Sequence, residues 1–502
     1  MTTIRDAIER NADARPDAPF LFAPEPGIAI SRAALRDNAR GLAAELTAHD
    51  IRPGEVVSYM LPNGVAAASV FLGAMYGGYV VSPIGLIAQD ALVEHALRHS
   101  ETRIVFAAPE FVDRLRAIAA RVGGSVIVRT TLPDDLGLAN SGAPVPDVMP
   151  TPESPAMLMY TSGTTGTPKG ALLTHGNLVH AGGSVAAAHA LTSADRVLSS
   201  LPLYHVNGQC IATVSPLVSG GSIIMPHRFS VSQWWALVER YQPTWLNVVP
   251  TIIAYLLNGP DLTPGEIAAC KGIRFARSAS APLPPEQHRA FEARFGISVL
   301  EAMGLTESAS VAFANPLAVN ERRIGSAGRP LGMEARVVAP DGTVLGDGER
   351  GEIELRGDNV MRCYHKDPDA TARTLHAGGW LATGDLGYRD ADGFYFITGR
   401  LKELIIKGGE NIAPREIDEV LLAHPAVLEA AAVGIPDPEY GQEILACVVL
   451  KPSCPCSEDE LRAHCLSRLG RYKTPKAFRF VAELPKGPSG KVQRLRLAQS
   501  VA

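Results

Sequence analysis

Between Val56 and Ala88 no residue carries a formal charge, yet Pro62, Asn63, Gly64, Gly73, Gly77, Gly78 and Pro83 interrupt the run. A membrane span needs about 20 unbroken apolar residues, so this pattern instead predicts strand, buried helix, strand. Val56 to Met60 is a short β-rich run, Val65 to Tyr76 is helix-length and Ala-rich, and Tyr79 to Val81 resumes β character. Similar short apolar runs recur at Thr102 to Phe106, Ser125 to Val128, Arg196 to Leu198 and Ser222 to Met225, separated by Ala/Leu-rich stretches. Unalternating strands separated by helix-length segments predict parallel sheets covered on both faces. The irregular stretch from about Ala139 to Pro155 reads as a surface connection.

From about Arg336 the period shortens. Ala335 to Val338, Glu352 to Leu355 and Phe394 to Ile397 alternate apolar with polar positions, and Asp341-Gly342 and Asp392-Gly393 supply turns. Antiparallel strands follow. After Gly399-Arg400 the pattern predicts a compact α+β unit of about a hundred residues, enough for a small domain. Its elements are a helix from Pro414 to Ala423, strands Glu429 to Val433 and Ile444 to Leu450, a helix from Glu458 to Leu469 and a strand from Phe478 to Val481. The fold class is thus α/β: a large N-terminal domain over 1–400 with a β-rich subdomain from about 330, and a small α+β C-terminal domain over 401–502.

The 502 residues are 46% hydrophobic and 20% charged, with a formal net charge of −5. These values fit a globular enzyme and lack the basic footprint of a nucleic-acid binder. Seven scattered cysteines suggest neither a disulfide framework nor a zinc ribbon, since the nearest pair, Cys454 and Cys456, lacks a second ligand pair. The mixed-charge N-terminus shows no export signal, and a cytoplasmic location is expected. One local imbalance stands out: Arg471, Lys473, Lys476, Arg479, Lys486, Lys491, Arg494 and Arg496 face only Glu483 within the last 32 positions. That reads either as a solvated face or as a site for an anion.

The strand-like Ala156 to Tyr160 runs directly into Thr161-Ser-Gly-Thr-Thr-Gly-Thr-Pro-Lys-Gly170. Glycines let backbone N–H groups approach an anion, hydroxyls add donors and Lys169 supplies countercharge, so the segment predicts a phosphate cradle. It is not the Walker loop, because Gly-Lys-Ser/Thr is missing. This decapeptide resembles the signature loop of the ANL superfamily, which comprises acyl-CoA synthetases, amino-acid adenylation domains and luciferases. Pro202 to His205, Met303 to Glu307, Thr383 to Asp385, Gly399-Arg400, Lys407 to Asn411 and Pro485 to Lys491 resemble later motifs of that superfamily, in its order.

The resemblance implies an AMP-forming acid–CoA ligase that uses ATP, Mg2+ and CoA through an acyl-adenylate. It assigns ATP to Thr161, Ser162, Gly163, Thr164, Thr165, Lys169, Ser280, Ala281, Met303, Gly304, Thr306, Asp385 and Arg400, with Asp385 on the ribose. Glu307 and Thr164 are the implied metal ligands, and Lys491 the catalytic cation of adenylation, aided by Thr161, Glu307 and His205. Lys402 matches the hinge about which the mobile C-terminal domain turns between the two half-reactions, bringing Gly408, Gly409 and Glu410 to the CoA arm.

For the acid, the resemblance points to His205, Asn207, Gly208, Val249, Ser278 and Met303. These are mostly neutral, so a neutral monocarboxylate, fatty or aromatic, is the expected substrate. Asn207 stands where oxalate and malonate synthetases commonly have a second histidine, although Arg277 would suit a second carboxylate. Tyr204 to Asn207 lacks the aspartate that holds an amino acid's ammonium. Three alternatives stay open: a dicarboxylate–CoA ligase of the oxalate or malonate type, an adenylation enzyme loading a carrier protein, and a nucleotide-binding or sensing protein without catalysis.

Overall fold

A computed structural model describes residues 2–123, 126–138, 144–161, 168–452, 454–486 and 492–501. The uncharged segment folds as its breaks require. Strand Val56–Met60, the wholly buried helix Val65–Tyr76 and strand Val80–Pro83 form a βαβ unit, with Val57 paired to Val81 in parallel. Apolar residues around its whole circumference suit that helix to the space between two sheets, where both faces are covered.

One of those sheets has seven strands, in the order Cys363–Tyr364, Lys169–Thr174, Pro155–Thr161, Val80–Pro83, Val56–Met60, Ile104–Ala107 and Ile127–Thr130. The other has nine, and six consecutive strands in it run parallel: Val299–Met303, Phe275–Ser278, Trp245–Val248, Arg196–Leu198, Ser222–Ile224 and Pro19–Ala23. A single apolar core joins them, with Val57, Tyr59, Phe20, Val197 and Trp245 all buried. In such sheets ligands sit beyond the carboxyl ends of the strands. Those ends here are Ser278, Val248 and Met303.

A third, antiparallel sheet carries Glu334–Val338, Gly351–Arg356, Trp380–Arg389 and Tyr395–Arg400, with Gly342 and Gly393 at positive φ in the two expected turns. The next strands, Ile405–Lys407, Glu410–Ile412, Val427–Asp437, Gly441–Leu450 and Ala477–Phe480, form a separate sheet with its own core around Ile417, Leu421, Ile444 and Leu461. The molecule is therefore a large N-terminal domain and a smaller C-terminal one. Sequence pattern had missed the hairpin at 405–412 and the final helix Arg494–Val501, both too short or too polar to show a period. It had also stopped the helix Glu458–Lys473 near Leu469, close to Gly470, whose φ of 70° breaks the helical backbone.

In the basic C-terminal stretch, four of the eight cations pair with acids from earlier in the same domain: Lys473 with Glu416, Lys476 with Asp437, Lys486 with Glu429, and Arg494 with Asp418 and Glu403. Counting charge along 471–502 alone overlooked partners that lie tens of residues upstream. Among the described residues no helix is long and apolar enough to cross a membrane.

Candidate functional site

A cleft of about 330 Å³, within the range of small-molecule sites, lies between the two domains. Strand ends of the nine-stranded sheet supply Ser278, Ser280, Ala281, Glu301, Met303 and Gly304; the antiparallel sheet supplies Asp385 and Arg400; the C-terminal domain supplies Arg415, Lys486 and Val492. Residues 162–167 and 487–491 fall outside the described residues, so Ser162, Gly163, Thr164, Thr165 and Lys491 are not placed. Their flanks are. Thr161 pairs with Lys169, and Tyr160 with Gly170, across antiparallel strands that close the base of the first segment. Lys486 and Val492 bridge across the base of the second, beside the cleft.

Asp385 and Arg400 face each other in register on adjacent strands, which explains why two short motifs fifteen residues apart act as one feature. The Arg400 Nε donates to Asp385 Oδ1 at 2.7 Å, and Asp385 is almost fully buried. That carboxylate holds the guanidinium above its ordinary pKa. The Asp385 N–H is in turn received by Thr383 Oγ1 at 3.0 Å.

Thr306 and Glu307 start a single 3-10 turn one residue after Gly304, with Leu305 between. A Cβ on Gly304 would lie 2.1 Å from the Ser310 carbonyl, so only glycine lets the chain fold back here. Glu307 Oε1 accepts from the Tyr364 hydroxyl at 2.8 Å, and the Lys169 ammonium stands 4.9 Å from the centre of the same ring. Tyr364 was not singled out by sequence; it lies on a two-residue edge strand that only the fold brings beside Glu307. Glu301, buried in the cleft wall and bonded to His288 Nδ1 and the Gly325 N–H, was likewise missed, although it stands two residues before Met303.

Of the residues expected to face the acid, Asn207 makes the most bonds. Its Nδ2 donates to Ser280 Oγ at 3.1 Å, its Oδ1 receives Asn247 Nδ2 at 3.1 Å, and its N–H is received by His205 Nδ1 at 3.3 Å. Asn207 opens a segment wound as a π-helix to Val214, a form concentrated at functional sites. Gly208 acts here by its lack of a side chain, since a Cβ would meet the Pro202 carbonyl at 2.4 Å. Val249 and Ser278 are buried, and the Ser278 hydroxyl has no hydrogen-bond partner among the described residues.

Arg277 alters the electrostatic picture. It is in register with Asn247 on the neighbouring strand, so both side chains share the sheet face that meets Asn207. The guanidinium is fully buried, and Nε, Nη1 and Nη2 all lack a partner among the described residues. Burial pushes its pKa down to about 9, which still leaves it charged at pH 7.

Gly408 and Gly409, both at positive φ, turn the hairpin Ile405–Lys407 to Glu410–Ile412. The Lys407 ammonium is buried beneath it against Glu443 at 2.8 Å, between the rings of Tyr440 and Tyr472. Lys402 lies in the turn Leu401–Glu403 that joins the two domains' sheets.

Comparison with known proteins agrees with this geometry. Residues 8–365 match the AMP-binding enzyme family and residues 416–491 the AMP-binding enzyme C-terminal domain. The chain is 56% identical over 486 residues to a sulfoacetate–CoA ligase of Cupriavidus necator, covering 96% of the chain and 94% of that protein. It is 34% identical to an oxalate–CoA ligase of Arabidopsis thaliana, covering 94% and 93%. ATP-bound MatB from Rhodopseudomonas palustris superposes with a TM-score of 0.90 at 32% identity, over 99% of this chain and 98% of that one. The chain thus belongs to the AMP-binding, adenylate-forming enzyme family and is an acid–CoA ligase.

Proposed function

We propose that the acid is a short carboxylate carrying a second fixed negative charge, with a sulfonate as in sulfoacetate fitting best and a dicarboxylate as the competing case. The observation that carries this reading is Arg277. A buried guanidinium without a partner costs several kcal/mol, and an anion delivered by the substrate offsets that cost only when bound. Its planar fork of donors suits sulfonate or carboxylate oxygens. The 56% identity to a sulfoacetate–CoA ligase supports the same choice. The sequence expectation of a neutral fatty or aromatic acid, and with it a place in fatty-acid metabolism, weighed Asn207 and its apolar neighbours but could not see that Arg277 has no hydrogen-bond partner among the described residues.

The chemistry needs no general base for the first step, because the carboxylate is already ionised at pH 7. Its oxygen attacks the α-phosphorus of ATP, the bond to pyrophosphate breaks, and a mixed anhydride with AMP forms. Negative charge grows on the phosphorus oxygens and the leaving group; Thr161, Lys169 and Lys491 would stabilise it electrostatically, while Asp385 holds the ribose and Met303, Ser280 and Ala281 flank the nucleotide. A divalent metal fits Glu307: Tyr364 occupies Oε1, and Oε2, a hard oxygen, has no partner among the described residues. No group of three acidic, histidine or cysteine ligands occurs among the described residues, so Mg2+ would complete its shell on phosphate oxygens and Thr164. Bound there, it would neutralise the developing phosphate charge.

In the second step the CoA thiol attacks the acyl carbonyl and AMP leaves. We place the domain boundary at 400/401 and the hinge at Lys402, where the chain passes from one sheet to the other. The orientation described here, with Lys486 and Val492 at the cleft, suits adenylation; a turn about Lys402 would bring Gly408 and Gly409 to the site for CoA. Free CoA, the acceptor named in the relatives, is preferred to a carrier protein.

The test is AMP release with CoA across sulfoacetate, malonate, oxalate, propanoate, octanoate and benzoate. The reading requires the dianionic acids to lead; turnover of propanoate or benzoate at a higher kcat/KM than any dianion would refute it.

A further inference from the structure

Three imidazoles that the mechanism does not use surround the base of the phosphate segment. His95 and His99 stand four residues apart on helix Asp90–Ser100, which places them on one face, and their rings stack at 5.2 Å. Both meet the Tyr160 ring edge-on, at 5.9 and 5.8 Å. Tyr160 precedes Thr161 in the strand that enters the segment, and Pro168 precedes Lys169 in the strand that leaves it.

Each histidine makes a directed bond to one of these two stems. His95 Nε2 lies 3.1 Å from the Pro168 carbonyl oxygen; a carbonyl only accepts, so this nitrogen carries the proton. His99 Nδ1 lies 2.9 Å from the Tyr160 hydroxyl. Burial and the neighbouring His365, His95 and Lys366 hold the His99 imidazole below its ordinary pKa, which favours the neutral ring, and its Nδ1 shares one hydrogen bond with the Tyr160 hydroxyl. Lys366 fixes the end of the helix from the other side, donating to the His99 carbonyl at 3.0 Å and pairing with Glu101 at 2.9 Å. His365 packs edge-on against His99 at 5.3 Å, and its backbone N–H donates to the Gly170 carbonyl at 2.7 Å. Its neighbour Tyr364 is the residue bonded to Glu307.

We infer that His95 and His99 are positioning residues for adenylation: they brace Pro168 and Tyr160, the two stems of the phosphate segment, against helix Asp90–Ser100. This rests on the reading of 161–169 as the segment that meets the ATP phosphates. Neither histidine lines the cleft, so they act through Tyr160 and Pro168, the stems they touch. Two separate bonds to two separate strands, with a shared aromatic pivot, are more than core filling requires; a leucine pair would fill the same face without fixing either stem.

ATP–pyrophosphate exchange, together with thioester formation from supplied acyl-adenylate, tests the inference. His95→Leu and Tyr160→Phe each remove one directed hydrogen bond worth about 1 kcal/mol and should raise KM for ATP about fivefold. The KM for the acid and the thioester half-reaction should stay unchanged, whereas a merely structural role would lower both half-reactions together. His95→Gln keeps a donor for Pro168 and should restore the KM for ATP. Tyr160→Phe removes a single oxygen and serves if the histidine variants fold poorly. Lys169→Ala separates the two levels. If it raises KM for ATP while Tyr160→Phe and His95→Leu do not, the brace is refuted and the phosphate segment stands; if it too leaves KM unchanged, the reading of the segment falls and takes the brace with it.

Discussion

Replacing Arg277 by methionine should make the protein more stable and much less active on a dianionic acid. Burial lowers the guanidinium's pKa from 12.5 to about 9. At about 1.4 kcal/mol per tenfold change in proton affinity, keeping this cation buried at neutral pH costs the unliganded fold about 5 kcal/mol. Methionine keeps the apolar stem and removes that cost, as replacements of buried charges by apolar residues of similar volume often do. The melting temperature, followed by scanning fluorimetry without substrate, should therefore rise. On the substrate side, removing one partner of a buried charge pair costs about 2–5 kcal/mol, so kcat/KM for sulfoacetate should fall on the order of 10²- to 10³-fold. Propanoate, which has no second anion, should lose little. A lower melting temperature would show that Arg277 has a stabilising partner in the free protein. Undiminished turnover of sulfoacetate would show that the distal anion binds elsewhere.

Three further outcomes are expected. Lys491→Ala should abolish most ATP–pyrophosphate exchange yet largely spare thioester formation from supplied acyl-adenylate; equal loss of both half-reactions would contradict its role. Gly409→Val should show the reverse split: a Cβ there meets nothing within 4 Å in this orientation, although φ is +86°, so a thioester step as fast as wild type would remove the CoA arm from this turn. Stability should also fall with acid. Burial lowers the pKa of His175 from 6.5 to about 4 and of His189 to about 3. The unfolded chain therefore takes up protons at about pH 6.5 that the folded one refuses, so their contribution is complete above that pH and is lost progressively from pH 6.5 to about 4 and 3. His189→Phe, which keeps the ring against Trp245 and Phe275, should flatten the melting-temperature profile between pH 7 and 5; an unchanged slope would refute the assignment.

Much of the reaction was legible in the primary structure because its determinants are local. The turn that begins with Thr306-Glu307 and the Thr383-Gly-Asp385 turn each need only a few consecutive residues to specify their backbone. The βαβ unit at 56–83 was equally readable, since an uncharged helix with no polar face can only be covered on all sides.

What the fold decided is every property that depends on who stands beside whom. Tyr364 reaches Glu307 from 57 positions away, and Lys486 finds Glu429 from the same separation, balancing a cation that looked unopposed along the sequence. Arg277 could equally have stood opposite a carboxylate on a neighbouring strand; its register partner is Asn247 instead. A charge in a sequence has no sign of its neighbours attached. Whether it is already balanced is set by sheet register and burial, and that is the physical reason the reaction class could be read from residues while the surroundings of Arg277 had to wait for the structure.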